Sequence, residues 1–495
     1  MNIVRVAVVG GGVSGLAAAH RLRTLLGPAA EVVVLEQRDR LGGVLRTVDL
    51  AGVPYDVGAE AFLWRRPEAR ALLDELGLAD EVVHPAGAAP SVRAGGGTVP
   101  LPPGTLLGVP TSGARLDGVL SPAGTAAAHA ERDLLLAWTA GADVALGGLL
   151  RERFGDELAD RLADPLLGGV YAGRVDVLGL RATLPAVAAA LDAGAPSLTA
   201  AADRATAVPA SRAAPGVRQP ESTPSADPSG APVDPVFGAL RGGYATLVDA
   251  LVAAVDVRLS TTVRALHRLP DGWRLVLRPG QDALDVDAVV LAVPAPAVAR
   301  LLAEVVPAAA RVAGEIELAS SVVVALAYRD ADAQRLPMTS GVLVAAGEPL
   351  SIKAATHSSR KWAHLAAAAT DGLVRLRTSL GRFGEEATLQ VDDAELIARS
   401  RADLAVLAGI TATPVAVHVQ RWGGGLPQYA VGHLDRVRAI EDATAAVPGL
   451  AVAGAALHGV GVPACVGTAR LAAERVAAQL TDGRMGAWHA STTPR

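Results

Sequence analysis

Six residues near the start, Gly10-Gly11-Gly12-Val13-Ser14-Gly15, carry the spacing Gly-x-Gly-x-x-Gly. The pattern suits a phosphate cradle: Gly10 permits a tight turn, Gly12 lets a pyrophosphate reach the backbone, and Gly15 lets a helix pack closely on a strand. Unpaired amides at the helix start, those of Val13 and Ser14 among them, then face the phosphates. A glycine-rich chain also makes this match in ordinary turns, so its surroundings decide. Glu36, with Gln37 after it, stands about 20 residues further on, where a carboxylate accepts hydrogen bonds from a ribose diol. The alternative for Glu36 is a solvent-facing strand end. Arg40, Gly42, Gly43, Arg46 and Thr47 follow, and the second glycine pair allows another close backbone approach to an extended dinucleotide. A nicotinamide site needs no such second loop.

Elements of the right type flank these residues. Val4 to Gly10 is a short β-branched apolar run, which predicts a buried parallel strand. Val13 to Leu26 sets Leu16, Ala19, Leu22 and Leu26 at helical spacing, and Glu31 to Leu35 closes a strand–helix–strand unit. Further along, Pro67–Leu76 and Tyr244–Val255 read as helices. Trp273–Leu277, Ala288–Val293, Ser321–Tyr328 and Val374–Ser379 read as strands, the last two in a substrate-binding sheet. Thr125 to Leu166 reads as mostly helical, with Leu134, Leu135 and Trp138 on one apolar side. Gly449 to Gly454 predicts a strand returning to the first sheet. Gly459-Val460-Gly461-Val462-Pro463 leads from there into a helix over about 464–480, with a positive dipole end at its N-terminus or simply a glycine-rich turn before a terminal core helix.

With both glycine motifs present, the chain resembles the FAD-dependent oxidases of the amine oxidase and porphyrinogen oxidase superfamily. Further blocks resemble the porphyrinogen oxidases, the bacterial coproporphyrinogen III oxidases above all. They are Tyr55 to Phe62, Gly169 to Gly173, Gly242 to Val248, Lys361 to His364, Arg421-Trp422 with Pro427 to Tyr429, Val431 to His433, and Gly454 to Cys465. Val44 stands where many relatives carry a basic residue, with Arg46 as the nearest substitute, and Ala464 stands where relatives often have Asp.

The resemblance implies an α/β fold: a Rossmann-like FAD-binding domain, a substrate domain with a mixed β-sheet, and a helical subdomain. The expected boundaries are 1–80, 238–300 and 440–482 for FAD binding, 81–110 and 301–439 for substrate, and 111–205 for the helical part. A mobile proline-rich insertion is expected at 206–236 and a flexible tail at 483–495. The implied cofactor is FAD, held by Gly10, Gly11, Gly12, Val13, Ser14, Gly15, Glu36, Gln37, Arg40, Gly42, Gly43, Val263, Gly454, Val460, Gly461 and Val462. The implied reaction oxidises coproporphyrinogen III to coproporphyrin III, with oxygen as acceptor and hydrogen peroxide as by-product, in haem biosynthesis. No side chain is assigned as catalytic, because the flavin carries the redox chemistry. Protoporphyrinogen IX oxidation, another oxidase or desaturase of the superfamily, and a flavin-containing porphyrin carrier remain alternatives.

A porphyrinogen is a wide apolar macrocycle edged by carboxylates, so its pocket calls for apolar walls and a few cations. Phe62, Trp64, Tyr171 and Trp422 are candidate walls, or else core aromatics. Arg65 and Arg66 are candidate propionate partners, or else a solvated helix start. Lys353 and Lys361 are the only lysines among 45 basic residues, so either a site keeps a compact ammonium or chance does.

The formal charge is −5, with no long basic run, which excludes the footprint of a nucleic-acid binder. No metal-ligand spacing stands out. The single cysteine, Cys465, suits a reducing compartment. No apolar run is long enough to span a bilayer, so the expected location is the cytoplasm, with a peripheral membrane contact or one to another haem-pathway enzyme left open.

Overall fold

The computed structural model describes residues 3–207, 235–253, 255–367 and 372–491, with side chains described as far as residue 481. Nearly all of the proline-rich stretch, residues 208–234, lies outside the described residues.

Two sheets carry the architecture. Their strands, in chain order, are β1 (Arg5–Val9), β2 (Glu31–Leu35), β3 (Pro90–Ala94), β4 (Gly97–Pro100), β5 (Asp256–Arg258) and β6 (Ala288–Leu291), followed by β7 (Leu318–Arg329), β8 (Gly341–Val344), β9 (Ile352–Thr356), β10 (Leu373–Leu380), β11 (Ala416–Pro427) and β12 (Leu450–Val452). The first sheet has the order β5-β2-β1-β6-β12, and its pairs are all parallel. Val6, Ala7 and Val8 are fully buried because apolar side chains cover both faces, which is why the run reads as continuous rather than alternating. The helix Val13–Leu26 buries Leu16, Ala19 and Leu22 against the same core as Val466, Ala469 and Ala473 of the last helix. Because the strands are parallel, the loops after β1, β2, β6 and β12 leave from one edge. The chain fills one side of β1 with β2 and then β5, and crosses from β5 to β6 on the other side; ligands bind at such a switch point.

The second sheet has the order β11-β7-β10-β9-β8-β3-β4 and is antiparallel apart from the β3–β8 pair. Alternation sorts its faces. Val322, Val324 and Leu326 of β7 and Leu376 of β10 pack in one cluster with Leu396 and Leu404 of the helix Asp393–Ala408. Ser321 and Val323 of β7, with Arg377 and Ser379 of β10, line a cavity on the other face.

A third group of helices, between residues 122 and 207, surrounds a core that includes Phe154, Leu158, Leu162 and Tyr171. Here the helix expected from Thr125 to Leu166 is interrupted. It stops at Ala130 and resumes as Leu146–Phe154. The buried Glu131 carboxylate accepts from the amides of Leu198 and Thr199 and from Arg153, and Arg153 also donates to the carbonyls of Leu134 and Leu135. These bonds take backbone acceptors that a continuous helix would use, and Leu135 is left 87% exposed instead of lying on an apolar side.

The last helix also departs from expectation. It runs Val462–Ser491, longer than the 464–480 expected and reaching into the stretch set apart as a tail. No helix among the described residues is long and apolar enough to cross a membrane.

Candidate active site

Loops from the first sheet's edge enclose a cavity of about 230 Å³. Gly10, Gly12, Val13 and Ser14 line it after β1, Glu36 and Gln37 after β2, and Gly42, Gly43 and Val44 from the second glycine loop. Thr261, Thr262, Val263, Pro294, Gly454 and Cys465 complete much of the wall. Gly10 has φ +110°, and a Cβ there would lie 2.3 Å from the Ala292 carbonyl oxygen. A Cβ on Gly15 would lie 1.8 Å from the Gly10 carbonyl oxygen, so this glycine sets how closely helix and strand pack. Gly11 lies just behind the wall: its amide donates to Glu36 Oε2 at 2.6 Å, and Glu36 Oε1 accepts from the Arg38 amide at 2.8 Å.

A second cavity, of about 480 Å³, lies against the open face of the second sheet. Val44, Trp422 and Gly425 line both cavities, so the two meet there. Trp422 is fixed by its indole N–H, which donates to the Val57 carbonyl at 3.0 Å. Leu63, Val170, Tyr171, Val323, Leu343 and Leu426 give the second cavity apolar walls, while Arg66, Lys353, Arg377, Ser321 and Ser379 make it polar in places.

Behind that wall sits a buried charge cluster. Glu60 Oε2 accepts from Lys361 Nζ at 2.9 Å and from Arg377 Nη2 at 3.2 Å, and Oε1 accepts from the Trp362 indole at 2.8 Å. Burial pushes the Glu60 carboxyl up, but Arg377 and Lys361 outweigh it and hold the group at about 2. Four residues earlier, Asp56 shows the opposite balance. Burial raises it to about 6, against hydrogen bonds from Thr47 and the Tyr244 amide.

The structure sorts the expected substrate residues. Tyr171, Trp422, Arg66 and Lys353 line the second cavity. Arg65 does not: it is exposed. Arg66 itself pairs with Glu68 at 2.7 Å. Lys361 is taken up by Glu60. Phe62 is buried in the first sheet's core, because Phe62–Leu63 pairs as a strand with Phe237–Leu240. Trp64 packs edge-on against His84, with the Arg70 guanidinium 4.7 Å from its ring centre.

Among the expected cofactor residues, Arg40 stands outside the lining and holds the second glycine loop, donating to the carbonyls of Leu41 and Gly43. Val460 and Gly461 line the second cavity rather than the first, and Val462 is buried at the start of the last helix. Arg46, the expected substitute for a basic residue at Val44, donates to Gln420 and is not among the residues lining either cavity.

The model of the family described as flavin-containing amine oxidoreductase matches residues 13–477. The chain belongs to this family. It is an FAD-dependent oxidoreductase with mixed α/β architecture. A Mycobacterium tuberculosis protein named coproporphyrinogen III oxidase is 44% identical to it over 463 residues, 93% of this chain and 95% of the relative. A Bacillus subtilis protein of the same name is 30% identical, over 93% and 95%. Among solved structures, an Exiguobacterium sp. 255-15 protein provisionally named protoporphyrinogen oxidase superposes with a TM-score of 0.78 at 29% identity, covering 97% of this chain and all of that one.

The first cavity fits the FAD that this amine oxidoreductase family uses. A Cβ on Gly12 would meet only Gly43 Cα, at 3.8 Å, so the two glycine loops pass backbone to backbone beside open space. The helix that begins there has no side-chain cap on its N-terminal amides, which leaves donors for a pyrophosphate. Both Glu36 oxygens already accept one backbone bond, and each keeps a lone pair for a ribose hydroxyl.

Sequence reasoning missed Arg377 and Glu60 as partners. Arginine supplies nearly all the cations, so Arg377 gave no signal, and some 300 residues separate it from Glu60. Glu60 did fall inside the Tyr55–Phe62 block, but without a role.

Proposed function

We propose that the chain is a coproporphyrinogen III oxidase, forming coproporphyrin III with oxygen as acceptor and hydrogen peroxide as by-product, in haem biosynthesis. The observation that carries this reading is the junction at Val44, Trp422 and Gly425, where a glycine-lined dinucleotide cavity opens onto a larger, mainly apolar one with basic residues in its wall. The names of relatives at 44% and 30% identity support the same substrate. When bound, FAD supplies the acceptor for the hydrogens that leave the macrocycle.

The chain's own contribution is placement and electrostatics. Glycines at 10, 12, 42, 43 and 454 would let the cofactor backbone approach, and Glu36 would hold its ribose. Tyr171, Leu343 and Trp422 would flank the macrocycle and exclude water. The Glu60 cluster holds Arg377 in the wall, since that guanidinium also donates to the Asp56 and Gly58 carbonyls. A fixed cation there favours a carboxylate-edged substrate over an amine, which favours this reading over an amine oxidase.

Mixing FAD-loaded protein anaerobically with coproporphyrinogen III is the test. Bleaching of the visible flavin band, then fluorescent coproporphyrin and peroxide on admitting oxygen, is the expected result. Protoporphyrinogen IX, assayed beside it, is expected to react more slowly. Turnover of a simple amine with no bleaching by either porphyrinogen would overturn the proposal.

A further inference from the structure

The cations around the second cavity are not equivalent. Arg66 pairs with Glu68, and Arg377 shares Glu60 with Lys361. Lys353 lines the same cavity with 7% of its surface exposed, and no carboxylate lies within ion-pair distance of it among the described residues. Its Nζ donates to the Gly381 carbonyl at 2.7 Å. An ammonium carries three donors, so two remain. A buried cation without a counter-ion is costly, and a protein that keeps one beside a cavity holds half of an ion pair.

We propose that Lys353 is the receptor for one substrate carboxylate, which enters the cavity as the missing counter-ion. The inference rests on the porphyrinogen reading above and assigns one carboxylate of that substrate to a named side chain. The neighbours in register support it. Ser379 on β10 lies opposite Ala354, and Arg377 lies opposite Thr356, so Ser379, Thr356 and Arg377 line the same stretch of wall as Lys353.

The charges acting on Lys353 are Arg382 and Glu385 from the loop after β10, and Arg377 of β10 and Arg66 line the same cavity. Asp403, packed against the start of β9, is occupied by the Ser351 and Ile352 amides. Burial first, then Arg382, lowers the Lys353 ammonium to about 7, with Glu385 opposing. Before a carboxylate arrives, the side chain is therefore partly neutral near pH 7. An arriving carboxylate favours the charged form, so binding takes up a proton at and above neutral pH.

The probes are coproporphyrin III and its tetramethyl ester, titrated into the FAD-loaded protein and followed by porphyrin fluorescence, with calorimetry in two buffers of different ionisation enthalpy to count protons. Wild type is expected to bind the acid with proton uptake and to bind it more weakly as pH rises through neutrality. K353M is expected to lose on the order of 10- to 100-fold in affinity for the acid, to keep its affinity for the ester, and to show no proton uptake. K353R, permanently charged, is expected to bind the acid with a flat pH profile. FAD content and melting temperature show whether the variants are folded. Equal binding of the acid by wild type and K353M, or binding by wild type with no proton uptake, overturns the lysine assignment alone. Failure of wild type to bind either probe overturns the porphyrinogen reading and the assignment with it.

Discussion

The two cavities that meet at Trp422 are built by opposite means. The first is made largely of backbone, the glycines and strand ends at the edge of the parallel sheet, with Trp422 and its neighbours of β11 closing one side. The second is made mainly of side chains from the second sheet and from the helical group, held by hydrogen bonds between residues hundreds of positions apart. The first should therefore fail through steric crowding at single positions. The second should fail through charge and packing.

Crowding gives the largest expected effect and separates two glycines three residues apart. Gly15→Val would put its Cβ 1.8 Å from a carbonyl oxygen, and neither backbone can yield without parting helix from strand. The loss should exceed about 4 kcal/mol, and the variant should be insoluble or unfolded by circular dichroism. Gly12→Val meets only Gly43 Cα, at 3.8 Å, so it should melt near the wild-type temperature yet come off the column without FAD. Normal flavin content in folded Gly12→Val would mean that the cofactor lies elsewhere.

Charge dominates on the other side, and there two carboxylates four residues apart should respond to pH with opposite sign. Glu60, held at about 2 against an ordinary 4.5, contributes stability that is fully present above pH 4.5 and is lost as pH falls toward about 2. Its size is roughly 3 kcal/mol. Asp56, raised to about 6 from 3.8, does the reverse: stability is greatest below pH 3.8 and declines as pH rises through about 6. Glu60→Gln should lower stability by about 3 kcal/mol at neutral pH and flatten the acid limb. Asp56→Asn should instead remove the decline between roughly pH 4 and 6. Urea titrations across this range check both, and matching pH profiles for the two variants would mean that the cluster does not hold Glu60 ionised.

At the junction, Trp422→Phe removes one buried N–H donor and leaves the Val57 carbonyl unpaired, a cost of about 1–3 kcal/mol. Because Trp422 lines both cavities, the flavin spectrum and the substrate KM should shift together. A change in KM with an unaltered spectrum would confine the tryptophan to the substrate side.

The same division explains what the sequence could disclose. Gly10 to Gly15 and Glu36 act through contacts within one strand–helix–strand unit, so their spacing is itself the structural information. The helix Val13–Leu26 and the strand Glu31–Leu35 appear at the expected residues for the same reason. Lys353 was visible by rarity alone. For Phe62 the sequence left wall and core open, because the pairing with Phe237–Leu240, which turns it into the core, joins segments some 175 residues apart. The break after Ala130 depends on Glu131 meeting amides 67 and 68 residues away, a contact that no local periodicity reports.

Arg65 and Arg66 give the smallest effect and the finest test. Adjacent in sequence and just ahead of the helix Pro67–Glu75, they are told apart only by the fold: the second lines the cavity, while the first is exposed and does not. Arg66 also spends charge on Glu68, 15% and 23% of the two side chains being exposed, and such a pair near the surface contributes about 1 kcal/mol or less. Arg66→Ala should thus raise the KM for coproporphyrinogen severalfold without altering flavin content. Arg65→Ala should leave KM within about twofold, and the double variant should match Arg66→Ala. If Arg65→Ala has the larger effect, substrate approaches by the exposed side of this loop, and the cavity wall at Arg66 serves only to hold Glu68.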